Sequence, residues 1–313
     1  MTSTFHAGER AVQQRAGVAE RMAEVGPRVI RSFMPDQHRD FFAQLPFVVL
    51  GSVDALGQPW ASVLAQPPGF IQSPDAARLR VRALPAASDP LARNLVEGAP
   101  IGMLGIEPHT RRRNRVNGRV TALDGSGFGL AVEQSFGNCP KYIQAREPVY
   151  AALASEPAAI VGTQLDPAAL CLVRAADTFF IATASEGVDV SHRGGKPGFV
   201  RVDVDGSGQQ WLTVPDLVGN YFFNTLGNLA LQPQAGLLFI DFDSGDLLHL
   251  AVRAEIVWDG PELARYAGAQ RLLRLQVQQV LRRPAALALR WSAAQQSPAL
   301  AATGAWTPAQ VAA

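Results

Sequence analysis

This chain spells one segment twice. Ser62-Val63-Leu64-Ala65-Gln66-Pro67-Pro68-Gly69-Phe70 recurs as Ser191-His192-Arg193-Gly194-Gly195-Lys196-Pro197-Gly198-Phe199, with Ser, Pro, Gly and Phe in register. The flanks correspond as well. Phe47-Val48-Val49-Leu50-Gly51-Ser52-Val53-Asp54 precedes the first copy and Phe179-Phe180-Ile181-Ala182-Thr183-Ala184-Ser185-Glu186 the second. Downstream, Asn94-Leu95 with Ile101-Gly102-Met103-Leu104 is answered by Asn228-Leu229 with Gly236-Leu237-Leu238-Phe239. Such a spacing is far longer than a solenoid period. It fits two copies of one domain, and 313 residues suit about two domains. Where the copies differ in polar residues, function is to be sought.

Each copy reads as short strands with one small helix. In the first copy strands are expected over residues 47–53, 59–64, 78–83, 101–106, 115–123 and 127–134, with a helix over 89–96. In the second they are expected over 179–183, 198–204, 210–214, 236–241 and 247–258, with a helix near 221–231. Five or more short antiparallel strands escape exposed edges by closing into a barrel. The fold class expected is therefore mainly β with accessory helices: two tandem barrels forming a pseudo-dimer, with a cleft between them suited to a cofactor. The boundaries expected are an N-terminal helical segment over 1–45, a first barrel over 46–146, a linker over 147–168, a second barrel over 169–260, a C-terminal helix over 261–296 and a flexible tail over 297–313. Residues 6–25 read as one peripheral helix closed by Gly26-Pro27. The linker's Ala/Pro-rich composition reads as helical, and Leu263, Leu272, Leu275 and Val280 fall near helical spacing.

A net charge of +1 gives no general attraction to nucleic acid or anionic membrane. Apolar runs are strand-length, too short to span a bilayer as helices. Met1 to Arg15 lacks a signal-peptide pattern, and Cys139 and Cys171 show no CxxC spacing. A soluble, cytoplasmic protein without a disulfide framework or zinc is expected.

Three basic or polar segments carry the chemistry. Ser191, His192, Arg193 and Lys196 around Gly194-Gly195 offer the charge-assisted donors a phosphate monoester needs. They also suit a solvated basic hairpin, but the first copy has Val63, Leu64, Ala65 and Pro67 at the matching positions, so the scaffold does not require the polar set. Asn220, Asn224, Thr225 and Asn228 stand at the start of a short helix, where amides suit phosphate or ring carbonyl oxygens as well as ordinary capping. Arg111, Arg112, Arg113 and Arg115, with Asn117, make a strongly basic hairpin that lacks the interleaved aromatics of single-strand nucleic-acid binders. Its counterpart, Leu248-His249-Leu250-Ala251-Val252, is nearly uncharged. Each copy thus keeps a basic element that its sibling lacks, which fits one composite site, with two independent sites as the alternative. Cys139 and Lys141 lie in a fourth segment, where Cys139 is a candidate reactive thiol or a structural cysteine. His192 is a candidate proton donor with no partner fixed locally.

Together these segments resemble the pyridoxamine 5′-phosphate oxidase-like flavin-nucleotide-binding proteins of the split-barrel fold, in their tandem-barrel form, over nearly the whole chain. The resemblance implies FMN, its phosphate held by basic and hydroxyl groups and its ring between the barrels. It implies cofactor contacts at Ser191, His192, Arg193, Lys196, Asn220, Thr225 and Asn228, with Thr183 and Ser185 as secondary contacts. Arg111, Arg112, Arg113, Arg115, Asn117, Cys139 and Lys141 would serve the substrate or the second barrel. Val252 departs from the pattern's glycine, kept in the first copy as Gly118. The activity implied is that of an FMN-dependent oxidoreductase acting on a small molecule, with a separate NAD(P)H-linked reductase as partner and pairing into a homodimer. The alternatives are a flavin-binding protein without turnover, and a haem-binding split barrel with His109, His192 or His249 as ligand.

Overall fold

The computed structural model describes residues 4–151 and 158–307. Three helices come first: α1 (Ala7–Arg15), α2 (Ala19–Val29) and α3 (Asp36–Ala43). The first sheet comprises β1 (Phe47–Val53), β2 (Pro59–Ala65), β3 (Ile71–Asp75), β4 (Arg78–Val81), β5 (Pro100–Glu107), β6 (Arg112–Asp124) and β7 (Gly127–Gly137), with α4 (Leu91–Asn94) between β4 and β5. After β8 (Pro148–Tyr150), β9 (Ile160–Gly162) and α5 (Pro167–Ala175) the pattern repeats as β10 (Thr178–Ala184), β11 (Val188–Gly194), β12 (Arg201–Val204), β13 (Gln210–Leu217), α6 (Asn224–Leu231), β14 (Gln234–Ile240), β15 (Leu247–Val257) and β16 (Ala269–Arg283). The short β17 (Leu289–Trp291) pairs with β8.

The strand orders are β2-β1-β5-β6-β7-β4-β3 and β11-β10-β14-β15-β16-β13-β12, the same topology twice, with β9 added beside β16. Register makes the correspondence residue-specific. Leu50 pairs with Ser62 as Ile181 pairs with Ser191, and Gly102 with Asn117 as Gly236 with Ala251. Both copies carry a bulge at the same place, between Asn117 and Gly118 and between Ala251 and Val252.

Each barrel has its own core. Leu50, Leu79, Met103, Val120 and Phe128 belong to the first, and Phe179, Leu212, Leu237, Leu250 and Leu275 to the second. A third apolar cluster joins the barrels: Phe47, Val49 and Leu104 meet Phe180, Val190 and Leu238. That is why β1 and β10 read as continuous apolar runs, because both their faces are covered. Burying each such side chain contributes about 1.5–3 kcal/mol.

Several sequence expectations are corrected. Residues 261–296 form no α-helix, only a 3-10 turn at Leu263–Arg265: β16 supplies the second barrel with its longest strand, so that barrel runs past residue 260. Leu273, Leu275 and Val277 alternate with Arg274 and Gln276 at period two. The bulge then takes up Gln278 and moves the next inward residue to Val280, and this three-residue step imitates helical spacing. Residues 6–25 form two helices separated at Gly17, which has φ +71°, and Pro27 lies inside α2 instead of ending it. The described part of the linker is β8 and β9, not helix, and 152–157 lie outside the described residues. In the tail, Leu300 and Thr303 are buried and Trp306 packs on Tyr266, so residues 297–307 are docked on the second barrel; 308–313 lie outside the described residues. The strands β3 and β12 at the sheet ends are short, and β3 gave no alternating signal. Among the described residues no helix is long and apolar enough to cross a membrane.

Two equivalent glycines set the approach of the barrels. A Cβ on Gly102 would meet the carbonyl of Val188, and one on Gly236 the Pro59 carbonyl and Trp60 backbone. Backbone cannot yield as a side-chain tip can. Gly236→Val is therefore expected to destabilise the protein by about 1–3 kcal/mol through overpacking. Urea denaturation checks this, with Gly206→Ala, at a position with open space, as a near-neutral control.

Candidate functional site

The strand β6 runs along the barrel junction, and its period-two alternation sorts the basic hairpin. Arg112 turns outward to Glu107, at 2.6 Å. Arg113 and Arg115 turn toward the second barrel. Arg115 spans the junction: its Nη1 lies 2.7 Å from Asp189 Oδ1 and 2.9 Å from Asn224 Oδ1, and its Nη2 donates to Ser191 Oγ at 2.7 Å. Ser191 Oγ is also 2.9 Å from Thr225 Oγ1, at the start of α6. Arg113 donates to the Cys139 carbonyl at 2.8 Å and to His192 Nδ1 at 3.1 Å. An arginine can only donate, so Nδ1 accepts and the imidazole proton sits on Nε2. Arg193 and Arg271 share Asp216, at 2.7 and 2.8 Å.

These groups close on a cavity of about 100 Å³ whose wall includes Arg113, Arg115, Ser191, Arg193, Asp216 and Thr225. Its electrostatics are those of a cation cluster short of anions. Asp189 faces Arg115 and Asp216 faces Arg193, but Arg113 has no carboxylate among its partners. Burial, with Arg115 and Arg193 nearby, pushes the Arg113 guanidinium down to about 9. Burial, with Arg113, Arg193 and Arg146 nearby, holds His192 well below the ordinary imidazole value, so it is neutral. Arg115 Nε and Arg193 Nε are buried with no acceptor among the described residues.

A second cavity of about 530 Å³ adjoins the first, sharing Asn224 in its wall, and Asp189 lines it. The first turn of α1 forms part of its wall. Far from being peripheral, α1 lies across α6 with Gly8 against Gly227, and Gln13 donates to the Phe222 carbonyl. Glu9 is buried, accepting from the His6 amide at 2.9 Å and from Asn224 Nδ2 at 2.6 Å. Burial raises its carboxyl to about 7, against the opposing pull of those two donors. Sequence reasoning missed Glu9 as a site residue. The available signal was a capping box, His6 at the N-cap with Glu9 three residues on.

The structure gathers part of the candidate set. Arg113, Arg115, Cys139, Ser191, His192, Arg193, Asn220 and Thr225 line the first cavity, with Asn220 Oδ1 accepting from the Phe222 amide. Asn117 and Asn228 line the second. Thr183 and Ser185 line neither of these two cavities; both bond to Asn228, at 3.1 and 2.6 Å. Lys196 reaches away to the Thr303 carbonyl at 2.6 Å, Arg111 is bonded to the Ile143 carbonyl, and Lys141 is exposed. Of the other histidines, His109 is exposed beside Glu107, and His249 is wholly buried with Nδ1 on the Ala61 carbonyl. Gly118 lines the second cavity, whereas Val252 is buried in the second barrel's core.

Comparison with solved structures finds distant likenesses. HutZ, the heme storage protein from Vibrio cholerae, is 17% identical with a TM-score of 0.27, over 39% of this chain and 95% of its own. A pyridoxamine 5′-phosphate oxidase-related, FMN binding protein from Nostoc punctiforme is 11% identical with a TM-score of 0.25, over 37% and 82%. HupZ from Group A Streptococcus is 13% identical with a TM-score of 0.27, over 34% and 85%. No curated protein matches the chain. Residues 34–163, which take in the whole first barrel, match the family model described as pyridoxamine 5′-phosphate oxidase. That match makes the first barrel similar to the pyridoxamine 5′-phosphate oxidase family, and the second barrel repeats its β-sheet topology.

Proposed function

We propose that this chain binds FMN in the cleft between its barrels and uses it for redox chemistry on a small molecule. One observation carries the reading: the buried Arg115 and half-buried Arg113 of the first barrel and the Ser191–Arg193 strand of the second converge on a cavity with more cations than carboxylates. The residues present fit a phosphate group. Among the described residues two buried guanidinium N–H groups have no acceptor, and the half-buried Arg113 has no carboxylate partner. Arg113, Arg115, Ser191, Arg193 and Thr225 would hold the phosphate through charge-assisted hydrogen bonds. The adjoining cavity beside α1 offers room for a fused ring system.

When bound, the flavin supplies hydride or electron transfer. The chain's own residues bind and orient it. Asn224, fixed between Arg115 and Glu9, links the phosphate end of the cleft to the larger cavity. Glu9 can hold or release a proton near neutral pH at that cavity's wall. The first turn of α1, through Ala7, Glu9 and Arg10, forms part of the cavity's wall. The substrate is a small molecule, and a separate NAD(P)H-linked reductase is the proposed source of electrons. The haem reading gains no support from the histidines: His192 stands among arginines, His249 is walled in and His109 lies outside both cavities.

The absorption spectrum of the purified protein mixed with FMN tests the reading. Flavin bands retained through gel filtration and bleached by NAD(P)H with a reductase support a redox role. Retained bands that no reductant bleaches leave a flavin carrier, and absence of retained flavin refutes the proposal. Arg113→Ala or Arg193→Ala is expected to weaken FMN binding by one to two orders of magnitude, the scale of about 1.5–3 kcal/mol for a charge-assisted bond. Lys196→Ala, outside the cavity, is expected to leave it within about threefold, and fluorescence titration measures both.

Glu9 gives an independent pH signature. Its folded value of about 7 lies above the unfolded value, so the folded state binds the proton more tightly. The stability it contributes is full below about pH 4.5 and is lost as pH rises through 7, by roughly 3 kcal/mol in all. Glu9→Gln is expected to remove that slope and to be the more stable protein at pH 7.5. Urea midpoints for both proteins at pH 5 and 7.5 check it.

A further inference from the structure

The duplicated topology creates two equivalent places between the barrels, and only one of them is the cationic cavity. Register identifies the twin. Ser62 stands for Ser191 and His249 for Arg115. Asn94 bonds Ser52 as Asn228 bonds Thr183, which aligns α4 with α6 and sets Leu91 at the place of Thr225. Arg283, opposite Leu247, takes the place of Asn138, opposite Arg113.

In the twin a side chain of the protein takes the anion's role. Asp89 is buried, and three donors converge on its carboxylate. Ser62 Oγ donates to Oδ1 at 2.5 Å, the Leu91 amide donates to Oδ1 at 2.9 Å, and Arg283 Nη1 lies 2.7 Å from Oδ2. His249, at the arginine position, lies within the field of both Asp89 and Arg283. Serine hydroxyl, helix-start amide and arginine are the donor types that the open site offers as Ser191, the first turn of α6 and Arg115. At the open site the residue in Asp89's place is Phe223, which brings no charge.

We infer that Asp89 is a built-in surrogate for the ligand's anionic group, so that the chain takes one phosphate ligand, seated on Ser191, Arg115 and the first turn of α6, and none at the twin. The inference rests on the phosphate reading of the open site. It adds the stoichiometry and the anion's place, both carried by the twin.

Two measurements test it. Equilibrium dialysis of the wild-type protein with FMN is expected to give one per chain, and two per chain overturns the inference. Asp89→Gly removes the carboxylate that faces Arg283, and the variant's thermal midpoint is expected to drop by roughly 10 °C. Acetate or inorganic phosphate should then restore much of that loss in the variant, with little effect on wild type. If the anions raise the variant's midpoint no more than the wild type's, Asp89 does not occupy an anion's place. Asp89→Ser, which vacates most of the carboxylate's place and keeps an acceptor for Ser62, is expected to show a smaller drop, and it supplies the anion test should the glycine variant fail to fold. If no FMN is retained by any of the proteins while anion rescue succeeds, the flavin reading fails and the surrogate stands.

Discussion

The cleft depends on one side chain crossing it. Arg115 leaves the first barrel on β6 and binds Asp189 and Ser191 on β11 and Asn224 on α6, and Asn224 in turn holds Glu9 of α1. Four elements from both barrels and the N-terminal segment are thereby tied through a single guanidinium. A buried ion pair of this kind gains little net stability, because desolvating both charges offsets most of their attraction. Its worth lies in placement. The planar fork of arginine can serve three acceptors at once, which an ammonium group could do only with looser geometry.

Duplication made such a crossing available twice, and divergence resolved the two differently. The apolar cluster between the barrels and the glycines at 102 and 236 stay nearly symmetric because backbone packs on backbone there. The charged positions carry no such constraint. On one side arginines face a cavity, and on the other a carboxylate closes the gap with Arg283. A buried charge must find its counter-charge inside the protein or in a ligand. The twin has its own, and Arg113 does not.

How much of this was legible follows from the range of each signal. The repeat, the two-barrel class and the pairing of unlike basic segments were readable because strand period and internal register are local. The final strand of the second barrel was not, since a bulged Gln278 breaks the alternation that would have revealed it. Among the four arginines, period two separates Arg113 and Arg115 from Arg112 once β6 is known to start at Arg112. Lys196 carried the right charge in the right segment. Its partner, the Thr303 carbonyl, is a hundred residues away and leaves no mark in the neighbouring sequence. Glu9 sat in a helix that looks merely polar, because what buries it is α6 and the second cavity, not its own neighbours.

Two perturbed groups around the cleft, Arg113 and Glu9, have opposite needs that one event would meet together. Arg113 is a cation that burial makes easier to deprotonate, and Glu9 is a carboxyl that burial keeps protonated up to about pH 7. An anion entering beside Arg113 stabilises its charged form and raises its proton affinity. The same negative field, acting across Asn224, raises that of Glu9 as well. Arg113 stays charged throughout, so an anion bound there would be coupled to proton uptake at Glu9 around neutral pH. A cleft arranged in this way favours an anionic ligand and, once that ligand is bound, keeps a neutral carboxyl in the wall of the larger cavity.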